Sequence, residues 1–156
     1  SYSRPVYLDK FTLRPAREAD FSAIRTLVRS TKINPTGLKW QQFIIAESPG
    51  EKMIACGQVK THLDGSTEIA SIAVQPENRG QGMARVIIEK LMLNASRPLY
   101  LMCRFELGKL YEKFGFYAVQ AEDMPPYFRR ISRLASLVDL LAREGTTLLV
   151  MRCDER

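Results

Sequence analysis

The sequence predicts a mixed α+β (α/β mixed) domain: a largely antiparallel sheet flanked by helices. Three observations predict it. Short aliphatic and β-branched runs alternate with segments of helical period along the 156 residues. Asp64-Gly65 stands between two strand-like runs, 53–63 and 67–74, as a two-residue turn joins a hairpin. Behind a glycine-containing loop, Ala84, Ile87, Ile88, Leu91, Met92 and Ala95 keep the rhythm of one helix face.

Taken in order, residues 11–14 read as a first strand closed by Pro15. Asp20 is placed to cap a helix through Ser30, with Phe21, Ile24, Leu27 and Val28 on one face. Asn34-Pro35-Thr36-Gly37 is loop chemistry. Residues 42–47, 53–63 and 67–74 form three strands, an antiparallel meander. The helix after the glycine loop is stopped by Pro98. Residues 99–103 are a strand, 107–114 a short helix and 116–119 a strand. A helix follows Pro125-Pro126, with Ile131, Leu134, Val138 and Leu141 expected to face inward and Gly145 at its end. Residues 146–153 close the sheet.

Composition narrows the function. With 46% apolar and 26% charged residues, the chain suits one globular domain, 1–156, whose residues 1–9 form an N-terminal arm. No apolar run reaches the length of a bilayer, and Ser1-Tyr2-Ser3-Arg4-Pro5 does not resemble a secretory signal. A cytoplasmic protein with no membrane partner is the expectation. Three scattered cysteines and one histidine offer neither a CxxC pair nor a metal set, so no metal is expected. The net charge of +6 is spread along the chain, apart from Arg129, Arg130 and Arg133, so nucleic acid is not the expected partner.

The sharpest local feature is a strand, 68–74, feeding Arg79-Gly80-Gln81-Gly82-Met83-Ala84 at the mouth of a helix. Two glycines bare successive amides where the helix dipole is positive, which makes a concave anion site fit for a pyrophosphate. A dinucleotide fingerprint needs glycine where Arg85 stands, and a P-loop needs Lys-Ser/Thr where Met83-Ala84 stand. Both of those readings fail.

Ile72-Ala73-Val74-Gln75-Pro76-Glu77-Asn78-Arg79-Gly80-Gln81-Gly82-Met83-Ala84 resembles the acetyl-CoA-binding signature of the GNAT superfamily, Arg/Gln-x-x-Gly-x-Gly/Ala. Downstream, Leu110-Tyr111-Glu112-Lys113-Phe114-Gly115-Phe116 is similar to the family's tyrosine-to-Gly-Phe segment. The resemblance implies the GNAT fold, with about seven strands splayed between the fourth and fifth. It implies an N-acetyltransferase that takes acetyl-CoA as cosubstrate, acts through a ternary complex and is a monomer or homodimer. The acceptor would be a small-molecule or peptide amine. A non-catalytic acyl-CoA-binding or regulatory domain is the alternative.

Carried over by position, Ile72, Ala73 and Val74 would line the pantetheine arm, and Arg79, Gly80, Gln81, Gly82, Met83 and Ala84 would hold the pyrophosphate. The Val74 amide would meet the oxyanion. Acetyl transfer to an alkylamine needs a proton acceptor, because the ammonium form has no lone pair, and a donor for the leaving thiolate. Glu68, eleven residues before Arg79, stands where some members place a catalytic base; the alternative is a strand carboxylate facing solvent. Tyr111 stands where the family has its proton donor; the alternative is a packed aromatic. Arg104 replaces an asparagine that many members use, and would reach a phosphate or face solvent.

The loop before the second strand commonly lines the acceptor pocket, which singles out Asn34 and Trp40, with Lys39 between them. The helix within 125–145 is an insertion relative to the family; it would cover the acceptor site, read an acidic acceptor through Arg129 with Arg130 and Arg133, or pack on a second subunit, and the alternative is an ordinary capping helix. His62 matches no motif and reads as a strand-surface residue.

Overall fold

The computed structural model describes residues 10–31, 33–142 and 147–156. The strands are β1 (Thr12–Pro15), β2 (Phe43–Glu47), β3 (Met53–Thr61), β4 (Thr67–Val74), β5 (Leu99–Arg104), β6 (Tyr117–Ala118) and β7 (Leu148–Cys153). The helices are α1 (Phe21–Ser30), α2 (Met83–Asn94), α3 (Gly108–Glu112) and α4 (Pro126–Ala142). The sheet order is β1-β2-β3-β4-β5-β7-β6. Pairs β1–β2, β2–β3, β5–β7 and β6–β7 are antiparallel, whereas β4 and β5 run parallel at Thr67–Leu99 and Glu68–Tyr100. The expected mixed α+β architecture, with seven mostly antiparallel strands, is the one found. Gly145 and the arm of residues 1–9 lie outside the described residues.

The described residues divide into two compact units, one of those from 10 to 59 with 69–94, the other of 60–68 with those from 95 to 156. In the first, Ile24, Leu27 and Val28 of α1 pack on Phe43, Ile45, Cys56 and Ala73. On the opposite sheet face, α2 sets Ile87 and Leu91 against Gly57. A Cβ on Gly57 would stand 2.6 Å from both Ile72 Cδ1 and Ile87 Cγ2. Gly57→Ala therefore overfills this seam and is expected to lower stability by about 1–3 kcal/mol, read as an earlier urea midpoint.

In the second unit, α4 and the turn before it bury Met124 and Phe128 on Tyr100 and Val150. On the other face of those strands, Cys103 Sγ lies 3.8 Å from Met151 Sδ, and Gly108 sits close under Leu149. The bond from the His62 amide to the Ser66 carbonyl and that from the Gly65 amide to the His62 carbonyl, both 2.9 Å, close the β3–β4 connection. It thus spans three residues, Leu63 to Gly65, not the two expected, because Gly65 adds a bulge to the turn.

Two further expectations fail. Asp20 precedes α1, but its carboxylate does not cap that helix; it accepts the Arg17 amide at 2.7 Å and two bonds from Arg14. The Arg14 guanidinium, in reach of two carboxylates, outcompetes the helix amides and holds the Asp20 carboxyl below its ordinary range. On α4, Leu134, Val138 and Leu141 were expected to face inward, yet they are exposed, at 58, 61 and 77%. Helical period shows that such residues share a face; it does not show that anything lies opposite.

Candidate active site

In the first unit the anion site forms as its residues dictate. Gly80 and Gly82 adopt φ of 77° and 81°, the left-handed region in which a side chain is strained. Nothing lies within 4 Å of a Cβ built on either glycine, so the loop is open where a ligand would approach. α2 begins at Met83, and Val86 is bonded to the Gly82 carbonyl at 3.1 Å. The first amides of a helix have no intrahelical acceptor and carry the positive end of its dipole. Arg79 is exposed and donates Nε to the Val74 carbonyl at 3.3 Å, tying the loop to the end of β4.

Just upstream, Ser71 has φ of 59° within β4, a bulge conformation of the kind common beside active sites. Its hydroxyl accepts Nε2 of the fully buried Gln58 at 2.8 Å. The next three residues are Ile72, Ala73 and Val74, the strand segment singled out for the cofactor arm.

In the second unit Glu68 is buried, 3% exposed, which removes the solvent-facing reading. Its Oε1 lies 2.8 Å from His62 Nε2. Burial pushes its carboxyl above the usual carboxylate range, and the His62 bond and the Lys60 and His62 charges pull part of the way back. His62 is therefore not the strand-surface residue expected. Its ring stacks on Tyr127 at 3.5 Å and meets Phe128 edge-on at 5.5 Å.

Tyr111 lies on α3 with its ring edge-to-face on Phe116 at 6.5 Å. Burial, with the nearby Cys103 adding to it, pushes its phenol above the ordinary value. It stays protonated at physiological pH, as a proton donor must. All three cysteines are free and buried. Burial pushes the Cys56 thiol up to about 12 and that of Cys103 up to about 11, so neither offers a thiolate nucleophile.

A family model described as an acetyltransferase (GNAT) domain matches residues 39–118, just over half of the chain. The chain belongs to the GNAT acetyltransferase family. No curated protein sequence matches it. Among solved structures, N-acetylglutamate synthase from Neisseria gonorrhoeae, complexed with coenzyme A and L-arginine, is 20% identical with a TM-score of 0.68. That match covers 94% of this chain and 34% of the other, so this chain spans about a third of that protein's length. Rv2747 from Mycobacterium tuberculosis, in complex with CoA, is 24% identical with a TM-score of 0.69, over 93% of this chain and 99% of that one. The ribosomal-protein-S18-alanine N-acetyltransferase from Escherichia coli is 16% identical with a TM-score of 0.61, over 92% and 93%. At these identities the likeness establishes the fold.

The GNAT match contains the glycine loop, Glu68, Tyr111 and Trp40, and it ends before α4. Of the remaining positions singled out from the sequence, Arg104 is exposed at the end of β5. Asn34 is exposed and spends its Oδ1 on the amide and hydroxyl of Thr36. Trp40 is half-buried against the α1 core together with Ile33 and Leu38. The carbonyl of Gly37 in the same loop lies 3.4 Å from Gln58 Nε2. Arg129 donates to the Ala121 and Met124 carbonyls, both at 3.1 Å, fastening the turn before α4. Sequence reasoning passed over His62, Tyr127 and Gln58. The signal for His62 was parity: once the hairpin closes at His62 and Ser66, a period of two puts Lys60, His62 and Glu68 on one face.

Among the described residues no helix is long and apolar enough to cross a membrane, and no three His, Cys, Asp or Glu stand together as metal ligands.

Proposed function

We propose that this chain transfers the acetyl group of acetyl-CoA to a primary amine by direct attack within a ternary complex. The observation that carries the reading is the open glycine pair at the mouth of α2. Diphosphate oxygens on the amides from Gly80 to Ala84 would meet the positive end of the helix dipole, with the Arg79 side chain at the rim; the Arg79 amide itself is bonded to the Pro76 carbonyl at 3.4 Å. Ile72, Ala73 and Val74 lead to that loop through the Pro76–Asn78 turn and offer strand backbone to the pantetheine amides.

Glu68 takes a proton from the acceptor ammonium, through an ordered water. The free amine then attacks the thioester carbonyl, and the Val74 amide receives the oxyanion. As the C–N bond forms and the C–S bond breaks, the sulfur takes a proton from Tyr111; the second proton shed by the new amide nitrogen leaves to solvent water, from which Tyr111 is reprotonated. Direct attack suits Cys56 and Cys103, whose thiols, raised by burial, do not offer a thiolate to carry the acetyl group.

The acceptor is a small-molecule or peptide amine. The solved relatives include a synthase of N-acetylglutamate and an N-acetyltransferase of ribosomal-protein-S18 alanine, so small-molecule and protein amines are natural first choices. Release of free thiol from acetyl-CoA across amino acids, polyamines, aminoglycosides and peptides tests the reading; binding with no turnover on any amine would overturn it. Tyr111→Phe is expected to lower kcat by about tenfold to a hundredfold with acetyl-CoA affinity unchanged. Stopped-time kinetics and calorimetry on the one variant separate those two quantities.

A further inference from the structure

We infer that His62 is a positioning residue for the Glu68 carboxylate, clamped in place by the first turn of α4. The inference rests on the reading of Glu68 as the proton acceptor. A buried glutamate side chain has several rotamers and no intrinsic reason to aim one oxygen. Here Oε1 is engaged by His62 Nε2 at 2.8 Å, which leaves Oε2 to take the proton. The imidazole plane is set in turn by Tyr127, whose ring lies parallel to within 16° at 3.5 Å, and by the edge of Phe128. A hydrogen bond from a ring nitrogen lies in the ring plane, so fixing the plane fixes its direction.

The clamp closes on itself. Asp64 Oδ2 accepts the Tyr127 amide at 3.0 Å, so the β3–β4 connection caps α4. Its other oxygen accepts the Ser66 amide at 2.9 Å and shapes the turn that carries His62. Phe128 stacks on Tyr100 at 4.9 Å, and Tyr100 is the β5 partner of Glu68. The insertion thus supplies two walls of the site around the base. Among the described residues, the charged and titratable groups facing Glu68 and His62 are Lys60 from β3, Asp64 from the turn and Tyr127 from α4.

A merely structural pair would also suffer from losing His62, so two variants are needed. His62→Phe keeps a plate on Tyr127 and removes the donor. His62→Gln removes the plate and keeps a donor, since its Nε2 stands as many bonds from Cα as the imidazole Nε2. The readout is the carboxyl carbon of Glu68 in glutamate-labelled protein, recognised by its absence in Glu68→Gln. The expected result is a titration midpoint raised by about one pH unit in His62→Phe and within a few tenths of wild type in His62→Gln. Tyr127→Leu is expected to move it part of the way.

His62 is the only histidine, so one imidazole nitrogen spectrum of the intact protein reads its tautomer without assignment. The Nε2–H tautomer is expected for the neutral ring, because Nε2 faces Glu68 Oε1. An Nδ1–H tautomer, or a midpoint unmoved in His62→Phe, overturns the positioning role; an unmoved midpoint in Tyr127→Leu removes α4 from it. If His62→Phe does not fold, the tautomer and the His62→Gln midpoint still decide. Full turnover by Glu68→Gln would instead sink the general base and leave these spectra standing, so the two failures are distinct.

Discussion

Glu68→Gln is expected to cut turnover at pH 7 by about a hundredfold or more, the usual worth of a positioned base. The amide keeps the volume and a hydrogen-bonding oxygen for the His62 contact at 2.8 Å but cannot accept the amine's proton. Burial has raised the Glu68 carboxyl above its ordinary range, so wild-type kcat/KM falls as pH drops through that raised value, where the base protonates. The variant has no such limb. Its deficit narrows at high pH, where the acceptor amine loses its proton to solvent unaided. A pH–rate profile of both proteins is the measurement, and coincident profiles would exclude Glu68 from the chemistry.

Stability gives the same experiment an internal control. A carboxyl raised on folding stabilises the fold fully below its unfolded-state value, and that contribution is lost as pH rises through the folded one. At a pH above that raised value the wild type carries a buried ionised carboxylate and the Gln variant does not. The variant should therefore unfold no earlier than wild type while being catalytically crippled, which separates loss of chemistry from loss of structure.

The double variant Gly80→Ala, Gly82→Ala is expected to weaken acetyl-CoA binding by about 30- to 1,000-fold. Two magnitudes decide this. A methyl group at φ of 77° or 81° costs roughly 1–2 kcal/mol of backbone strain per site, which a stable domain survives. Nothing in the protein lies within 4 Å of either methyl, so no packing is disturbed. What the methyls occupy is the space in which diphosphate oxygens would reach the amides. Losing one or two charge-assisted bonds there removes about 2–4 kcal/mol of binding. Calorimetry with acetyl-CoA and with coenzyme A reads the loss, and thermal unfolding confirms the fold. Wild-type affinity in a folded double variant would show that the diphosphate binds elsewhere.

Much of this was legible in the order of residues. The strand leading into Gly80 and Gly82, and the amphipathic rhythm from Ile87 to Ala95, depend on local rules: backbone freedom at glycine and burial of one helix face. They came out as read, with Met83, Ile87, Ile88 and Leu91 buried. Asp20 came out differently because Arg14 offers its carboxylate a stronger partner than the helix amides.

What the sequence determined by itself, then, was the succession of elements, the glycine loop and the family, because each rests on neighbours within a turn or two of chain. Only the tertiary structure decided the state of Glu68. Whether a strand carboxylate is solvated or buried beside an imidazole depends on what packs over it, and here that cover comes from Tyr127 and Phe128, some sixty residues downstream. It also decided that the apolar stripe of α4 from Leu134 to Leu141 stays exposed, since a periodic pattern specifies a face and only a neighbouring surface can bury it.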